Sequence, residues 1–404
     1  RRLNPPEGLT HEEWWWVISS HRRPLFREIP LLDRTGQPFR FAMIDSIYKS
    51  LREIDLMGAG SVTVPSPITN AETRDRYIVK SLMEEAITSS QIEGATTTRA
   101  VAQEMLRTGR QPRDESERMI FNNFRAMQRI GEVRNETLSK ELIFELHRKL
   151  SEGTLRDPLG AGRLRRDDDK DRVEVVDTAD EVVLHHPPAS AELPKRLSKL
   201  CQFANATHED PFIHPVVQAI ILHFWLAYDH PFVDGNGRTA RSLFYWSMLR
   251  QGYWLFEFIP ISAVIRKSPT TYARAFLETE TDSNDLTYFI IYHLEVIKKA
   301  IEELHRYIER KTAELKRIDS EIRDLSFLNH RQEALIVHAL RHPNQIYSIR
   351  SHQQSHRVVY QTARQDLLSL VDLGLLRKGQ KGKEFQFRAV PNLAGRLKRL
   401  KGVP

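Results

Sequence analysis

HPFVDGNGRTAR, residues His230–Arg241, gathers onto one short loop the groups that phosphate chemistry requires. His230 ordinarily titrates near neutrality, so it can take a proton from an incoming hydroxyl. Asp234 offers hard carboxylate oxygens suited to Mg²⁺. Gly235 and Gly237 let backbone N–H groups approach phosphate oxygens with no Cβ in the way, and Asn236 adds a side-chain donor. The following RTARSLFYWSML is patterned as a helix, which puts the cradle at a helix N-terminus, where free N–H groups and the macrodipole favour an anion. Arg238 and Arg241 share one face of that helix, and each guanidinium can fork onto a different phosphate. Each residue alone has an ordinary structural use, but the whole set in this order arises by chance on the order of 10⁻¹⁰ per starting point.

The loop resembles the Fic family motif, HxFx[DE]GNGRxxR, without a departure, and His214-Pro215 with AIILHFWLAYDHPF resembles the helix that leads into it. The resemblance implies a mainly α fold, a Fic (Fido) helical core with a β-hairpin flap, and transfer of AMP from ATP to a protein hydroxyl. On that analogy His230 is the base, Asp234 the Mg²⁺ ligand, and Asn236, Arg238 and Arg241 the phosphate contacts beside Gly235 and Gly237.

SSQIEG, Ser89–Gly94, matches the family's [ST]xxxE[GN] inhibitory motif through Ser89, Glu93 and Gly94. YIVKSLMEEAITSSQIEG reads as a helix ended by Gly94, which leaves the Glu93 carboxylate near a C-terminus that disfavours it. Such a group seeks a cation. In family members with this motif the Glu pairs with the second Arg of the loop, here Arg241, and ATP then binds only unproductively. A carboxylate beside a phosphodiester could also orient a water, so the resemblance leaves removal of AMP open as a role for Glu93.

Between these elements VEVVDTADEVVLHHPP, Val173–Pro188, has two β-rich runs split by polar residues, the pattern of a hairpin closed by Pro187-Pro188. The family's flap aligns a target segment by strand addition, with Val183 and Leu184 here as the residues expected to pin the modified side chain. An ordinary Val-rich hairpin is the alternative. His185-His186 alone is a poor metal site.

Working outward, residues 1 to about 65 form a first module containing Trp14-Trp15-Trp16, at least one of which is expected to pack on another domain or subunit. Residues 66–293 form the catalytic region, in which Tyr272 borders a nucleotide base or belongs to the core. Residues 294–325 form one amphipathic helix without Gly or Pro, which packs on the core or pairs two subunits as a homodimer. In residues 326–404 two helices and a basic ribbon resemble a winged helix-turn-helix domain, with which several Fic proteins end. That segment carries 14 Lys and Arg against 4 Asp and Glu, so the basic balance of the chain, +7 overall, belongs to its tail. A basic wing suits phosphate backbone, with Tyr360, Gln361, Thr362 and Arg364 towards a DNA groove and Arg377, Lys378, Lys381 and Lys383 on the backbone. Protein docking is the alternative use.

The single cysteine, Cys201, excludes an intramolecular disulfide framework and fits a reducing compartment. No run reaches the apolar length of a membrane span and no secretory signal is visible, so a soluble, cytoplasmic protein with no membrane partner is expected. Two function classes follow. One is a self-inhibited protein adenylyltransferase acting on a protein substrate. The other is a DNA-binding regulator whose Fic core senses nucleotide or modifies only itself.

Overall fold

The computed structural model describes residues 4–58, 71–169, 175–177, 182–207, 211–322, 327–342, 345–381 and 384–400. The chain divides into two compact units, Arg1–His305 and Arg306–Pro404. The division falls inside one long helix, Thr287–Ile322.

The first unit opens with α1 (His11–Arg22), whose N-terminus is closed by a capping box between Thr10 and Glu13. No residue of α1 is buried: Trp15 and Trp16 are exposed, and the Arg22 guanidinium lies over the Trp15 ring. An antiparallel ribbon, β1 (Phe26–Leu32) with β2 (Pro38–Ala42), follows, and then α2 (Asp45–Gly58). Four helices come next: α3 (Ala71–Ile92), α4 (Arg99–Thr108), α5 (Glu115–Glu132) and α6 (Lys140–Ser151). The hairpin expected at 173–188 is present as β3 (Val175–Asp177) and β4 (Val182–His185), paired antiparallel with Val176 opposite Val183 and Asp177 opposite Val182. Leu184 falls where the register shifts, and residues 173, 174 and 178–181 of that expectation lie outside the described residues.

Helix α7 (Leu193–Asn205) leads to the central pair, α8 (Pro215–Asp229) and α9 (Asn236–Arg250). Apolar residues run all round α8, and such a helix has no face to give to solvent. It is buried from Val216 to Asp229 with Ala227 alone excepted, and the equally buried α9 packs beside it, with Phe244 near the His223 ring. Pro215 starts α8 and His230 ends it in the left-handed region, at φ 44°. The short α10 (Ile261–Ile265) and α11 (Pro269–Thr281) precede α12 (Thr287–Ile322). Helix α12 begins seven residues before the Leu294 expected from amphipathicity, because the Asp285 carboxylate accepts the Thr287 N–H at 3.0 Å and caps an end that the apolar TYFIIYHL run hides.

The second unit continues with α13 (His330–Arg341), β5 (Ile346–Ser348), α14 (Ile349–His356), α15 (Tyr360–Asp372), β6 (Leu376–Lys381), β7 (Glu384–Ala389) and α16 (Leu393–Leu400). Its sheet is antiparallel in the order β5-β7-β6, over a core that includes Leu335, Ile336, Leu367, Leu370, Phe387 and Leu397. Buried Asp366 ties three elements by accepting hydrogen bonds from Arg331, Asn329 and His352. Helix α14 adds an element that the sequence reading lacked: its IRSHQQSH has too few apolar residues to signal a helix, but Ser348 and Ser351 close a capping box. Lys381 is described by its backbone pairing with Glu384, and Lys383 lies outside the described residues.

Candidate active site

The loop between α8 and α9 is folded by its own polar groups. Asn236 accepts the Phe232 N–H at 2.9 Å and donates to the Phe232 carbonyl at 2.8 Å, which closes the turn from within. The Asp234 carboxylate accepts the Gly235 N–H at 2.6 Å, and Gly235 sits at φ 79°, a left-handed position that suits glycine. No side chain caps α9 at Gly235, which leaves the N-terminus of α9 facing the loop.

His147, absent from the expected set, braces this loop from α6. It accepts the Gly162 N–H at Nδ1 (2.9 Å), so its Nε2 proton is free to donate to the Asp234 carbonyl (2.9 Å), and its ring stacks on Phe232 at 3.7 Å. Burial pushes the imidazole down to about 4, which keeps it neutral in this role. In sequence His147 stands among the apolar positions of α6, where it reads as a core residue. Arg165 acts on the other side: its N–H and guanidinium bind the carbonyls of Pro231, His230 and Pro188. Nothing in the run RLRRDDD separates it from its neighbours.

His230 donates from Nδ1 to the Ala227 carbonyl at 2.9 Å, so the lone pair of the neutral ring is at Nε2. Burial pushes the group down to about 4, with the Ala227 acceptor and the Glu93 charge opposing that shift. Near pH 7 the ring is therefore unprotonated and able to accept a proton.

Both arginines of α9 are buried. Arg238 donates to the Leu150 carbonyl at 3.1 Å and its Nη2 lies 3.5 Å from Asp234 Oδ2. Arg241 donates from Nε to Ser89 Oγ (2.8 Å), and from Nη2 to the Ser89 carbonyl (3.1 Å) and Glu93 Oε1 (2.8 Å). Among the described residues Arg238 Nε and Nη2 and Arg241 Nη1 are buried without a hydrogen-bond partner. Buried guanidinium N–H groups left in this state are costly unless an acceptor arrives. Burial opposes the Glu93 charge, but the adjacent Arg241 outweighs it and holds the carboxyl below the usual range, so Glu93 is ionised. Gly94 follows at φ 96°, in the left-handed region just past the end of α3. The Glu93 carboxylate lies directly over Gly237: a Cβ there would be 2.2 Å from Oε1.

The remaining expected residues lie apart from this cluster or border it. Tyr272 hydrogen-bonds His223 at 3.0 Å and packs among Phe276, Phe289 and Tyr292. His185, at the end of β4, contacts the Tyr228 carbonyl through Nε2 (2.7 Å) and Glu280 through Nδ1 (2.8 Å). No helix of the described residues is long and apolar enough to cross a membrane.

A neutral histidine, a glycine cradle and two buried arginines are thus assembled between α8 and α9, within residues 137–248, which match the Fic/DOC family model. Those residues are similar to a Fic domain. The chain is similar to the protein adenylyltransferase Fic of Nematostella vectensis, 28% identical over 220 residues, which are 52% of this chain and 45% of that one. The likeness to the protein adenylyltransferase Fic of Drosophila melanogaster is 32% identity over 168 residues, 40% of this chain and 31% of the relative. The chain thus spans less than half the length of these curated relatives. Beyond the Fic domain, the fold resembles that of a crystallised Fic family protein from Desulfovibrio desulfuricans G20, with a TM-score of 0.59 and 18% identity over 87% of this chain and 98% of that one.

Proposed function

We propose that this chain is a self-inhibited protein adenylyltransferase that transfers AMP from ATP to a protein Ser, Thr or Tyr hydroxyl. The observation that carries the reading is the pairing of a neutral His230, its lone pair at Nε2, with a cradle in which Arg238 Nε and Nη2 and Arg241 Nη1 are buried without acceptors and Glu93 lies over Gly237. The target hydroxyl gives its proton to His230 Nε2, its oxygen bonds to the α-phosphorus, and the bond from that phosphorus to the bridging oxygen breaks. Pyrophosphate leaves. The helix N-terminus, Gly237 and the Arg238 and Arg241 forks hold the phosphates, so positioning and preorganised charge supply most of the rate.

The donor set fits Mg²⁺ arriving with the nucleotide. The Asp234 side chain is 57% exposed, with Oδ2 3.5 Å from Arg238 Nη2, and no group of three or more His, Cys, Asp or Glu able to hold a metal occurs among the described residues. One carboxylate with room for water and phosphate suits this ion better than an all-protein cage would. When bound, Mg²⁺ neutralises phosphate charge. Asn236 serves the reading indirectly, since both its polar atoms hold the loop. The hairpin of β3 and β4 is the flap, with Val183 and Leu184 as the residues that meet the target segment.

Glu93 inhibits by holding Arg241 and by filling the volume over Gly237. The test is label transfer to protein from α-³²P-ATP and γ-³²P-ATP with the wild type, Glu93→Gly and Glu93→Gly/His230→Ala. Label from the α-form alone, raised by Glu93→Gly and lost with His230→Ala, is expected. Absence of label from both forms would turn the reading towards Glu93 orienting a water for removal of AMP, tested on a pre-modified protein.

A second reading concerns the C-terminal unit, whose helix–strand–helix–helix–hairpin order and β5-β7-β6 sheet suit a winged helix-turn-helix domain that binds duplex DNA. The start of α15 is exposed at Val359 and Tyr360, and Arg377 and Lys378 of the hairpin are exposed as well. DNA binding that persists in His230→Ala would separate this activity from AMP transfer.

A further inference from the structure

Glu85 and Ser89 lie four apart on one face of α3, and Glu93 follows four residues on, in the turn just past the last helical residue, Ile92. Each meets a matching step on α9. Glu85 Oε2 is 2.8 Å from the Tyr245 hydroxyl, Ser89 Oγ is 2.8 Å from Arg241 Nε, and Glu93 lies over Gly237. The two helices run antiparallel, four residues of one for four of the other. Glu85 also accepts the Ser262 N–H at 3.0 Å and the Ser262 hydroxyl, so it caps α10. It is 2% exposed and its partners Tyr245 and Ser262 are buried with it.

Proton counting at Tyr245 constrains this contact further. The Tyr245 oxygen accepts the Ile261 N–H at 2.9 Å and lies 2.9 Å from the Ile259 carbonyl. One hydroxyl hydrogen cannot serve both that carbonyl and a carboxylate. A neutral Glu85 that donates to the Tyr245 oxygen satisfies every group, with Tyr245 donating to Ile259, and burial raises the Glu85 carboxyl in the direction this requires. The two acidic residues, one on α3 and one just past its end, are therefore used differently: Glu93 as an anion against Arg241, Glu85 as a neutral hydrogen-bonding wedge.

We propose that Glu85 is the positioning residue of the occluding helix: fixed between Tyr245 on α9 and Ser262 on α10, it sets the register in which Glu93 reaches Arg241. The inference builds on the inhibitory reading of Glu93. Without Glu85 the carboxyl no longer bridges the three helices, α3 loses its anchor two turns before Glu93, and Glu93 no longer dwells on Arg241.

The experiment is self-labelling of the full chain from α-³²P-ATP in six forms: wild type, Glu93→Gly, Glu85→Ala, Glu85→Gln, Tyr245→Phe and Glu85→Ala/Glu93→Gly. Glu93→Gly is expected to raise labelling by roughly tenfold or more. Glu85→Ala and Tyr245→Phe are expected to raise it several-fold, to roughly a third of the Glu93→Gly level, and the double variant to match Glu93→Gly within about twofold, because both act on one contact. Glu85→Gln can still donate to the Tyr245 oxygen and accept the Ser262 hydroxyl, losing only the acceptor for the Ser262 N–H, and is expected to stay closer to wild type than Glu85→Ala. A purely structural role would lower labelling through unfolding and would not raise it. Glu93→Gly raised with Glu85→Ala and Tyr245→Phe at wild-type level would overturn the role of Glu85 and leave inhibition by Glu93 standing. No rise in Glu93→Gly would overturn both. Should Glu85→Ala fail to fold, Tyr245→Phe removes the same hydrogen bond with the ring kept, and its labelling decides the matter.

Discussion

Gly237→Ala asks whether Glu93 and a phosphate compete for one volume. An added Cβ would lie 2.2 Å from Glu93 Oε1 and 2.9 Å from its carboxyl carbon, where ordinary contact begins at 3.4 Å. The carboxylate must therefore retreat by about 1 Å, while its 2.8 Å bond to Arg241 Nη2 has only about 0.4 Å of slack before the geometry fails. One methyl thus breaks the pair without altering either partner. The lost charge-assisted hydrogen bond is worth about 1.5–3 kcal/mol, and that is the expected destabilisation of the first unit. In a Glu93→Gly background the three nearest atoms, all of Glu93, are gone, Gly237 is helical with no positive φ, and alanine should stabilise by up to about 1 kcal/mol. The same substitution should therefore change sign between backgrounds, with a coupling of about 1.5–4 kcal/mol in the double-mutant cycle. Denaturant unfolding of the four proteins followed by tryptophan fluorescence measures it cleanly, because all six Trp lie in the first unit. The methyl also stands where the phosphates of the proposed reaction would enter, so Gly237→Ala/Glu93→Gly should lose the gain in AMP transfer expected of Glu93→Gly. Equal destabilisation in both backgrounds, or transfer as fast as that of Glu93→Gly, would refute the shared volume.

Other expectations concern the base, the brace and the tail. With His230 held at about 4 and its base form needed for transfer, kcat in Glu93→Gly should be flat through pH 6.5 and fall only near or below pH 4, since removing the Glu93 charge lowers the histidine further; a midpoint near 6.5 in the pH–rate profile would contradict the assignment. His147→Ala removes the link between Gly162 and Asp234 and should lower kcat by roughly tenfold or more with unfolding eased by about 1–3 kcal/mol, both measurable in the Glu93→Gly background. If the second unit binds duplex DNA, Arg377→Ala/Lys378→Ala should reduce the slope of log affinity against log salt by about 2 in fluorescence anisotropy, and an unchanged slope would count against the wing as a phosphate contact.

Legibility followed distance along the chain. The His230–Arg241 loop could be read residue by residue, and its start as a helix end and its finish as a helix start are where α8 and α9 place them. The structure adds a use that the residue types did not reveal: Asn236, read as a donor towards phosphate, gives its amide to Phe232 four residues away. The beginning of α12 differs from the expected Leu294 because its first turns, TYFIIYH, show little amphipathic contrast, and the cap at Asp285 carries the signal instead. His147, Arg165 and Glu85 were missed for one reason. Each looks ordinary beside its neighbours, and each acts on an element far away in sequence.

By itself the sequence determined what short-range geometry controls: the helical periodicity, the glycine cradle, the two arginines on one helix face and the basic bias of the tail. Those features depend on groups a few residues apart, whose separations a helix or turn imposes. Only the tertiary structure decided that Arg241 is shared by Ser89 and Glu93, 152 and 148 residues away, and that Glu93 closes over Gly237. It alone decided that Glu93, just past α3, faces a guanidinium and Glu85, on α3, a tyrosine hydroxyl, because the charge each can keep depends on the partner that burial brings to it.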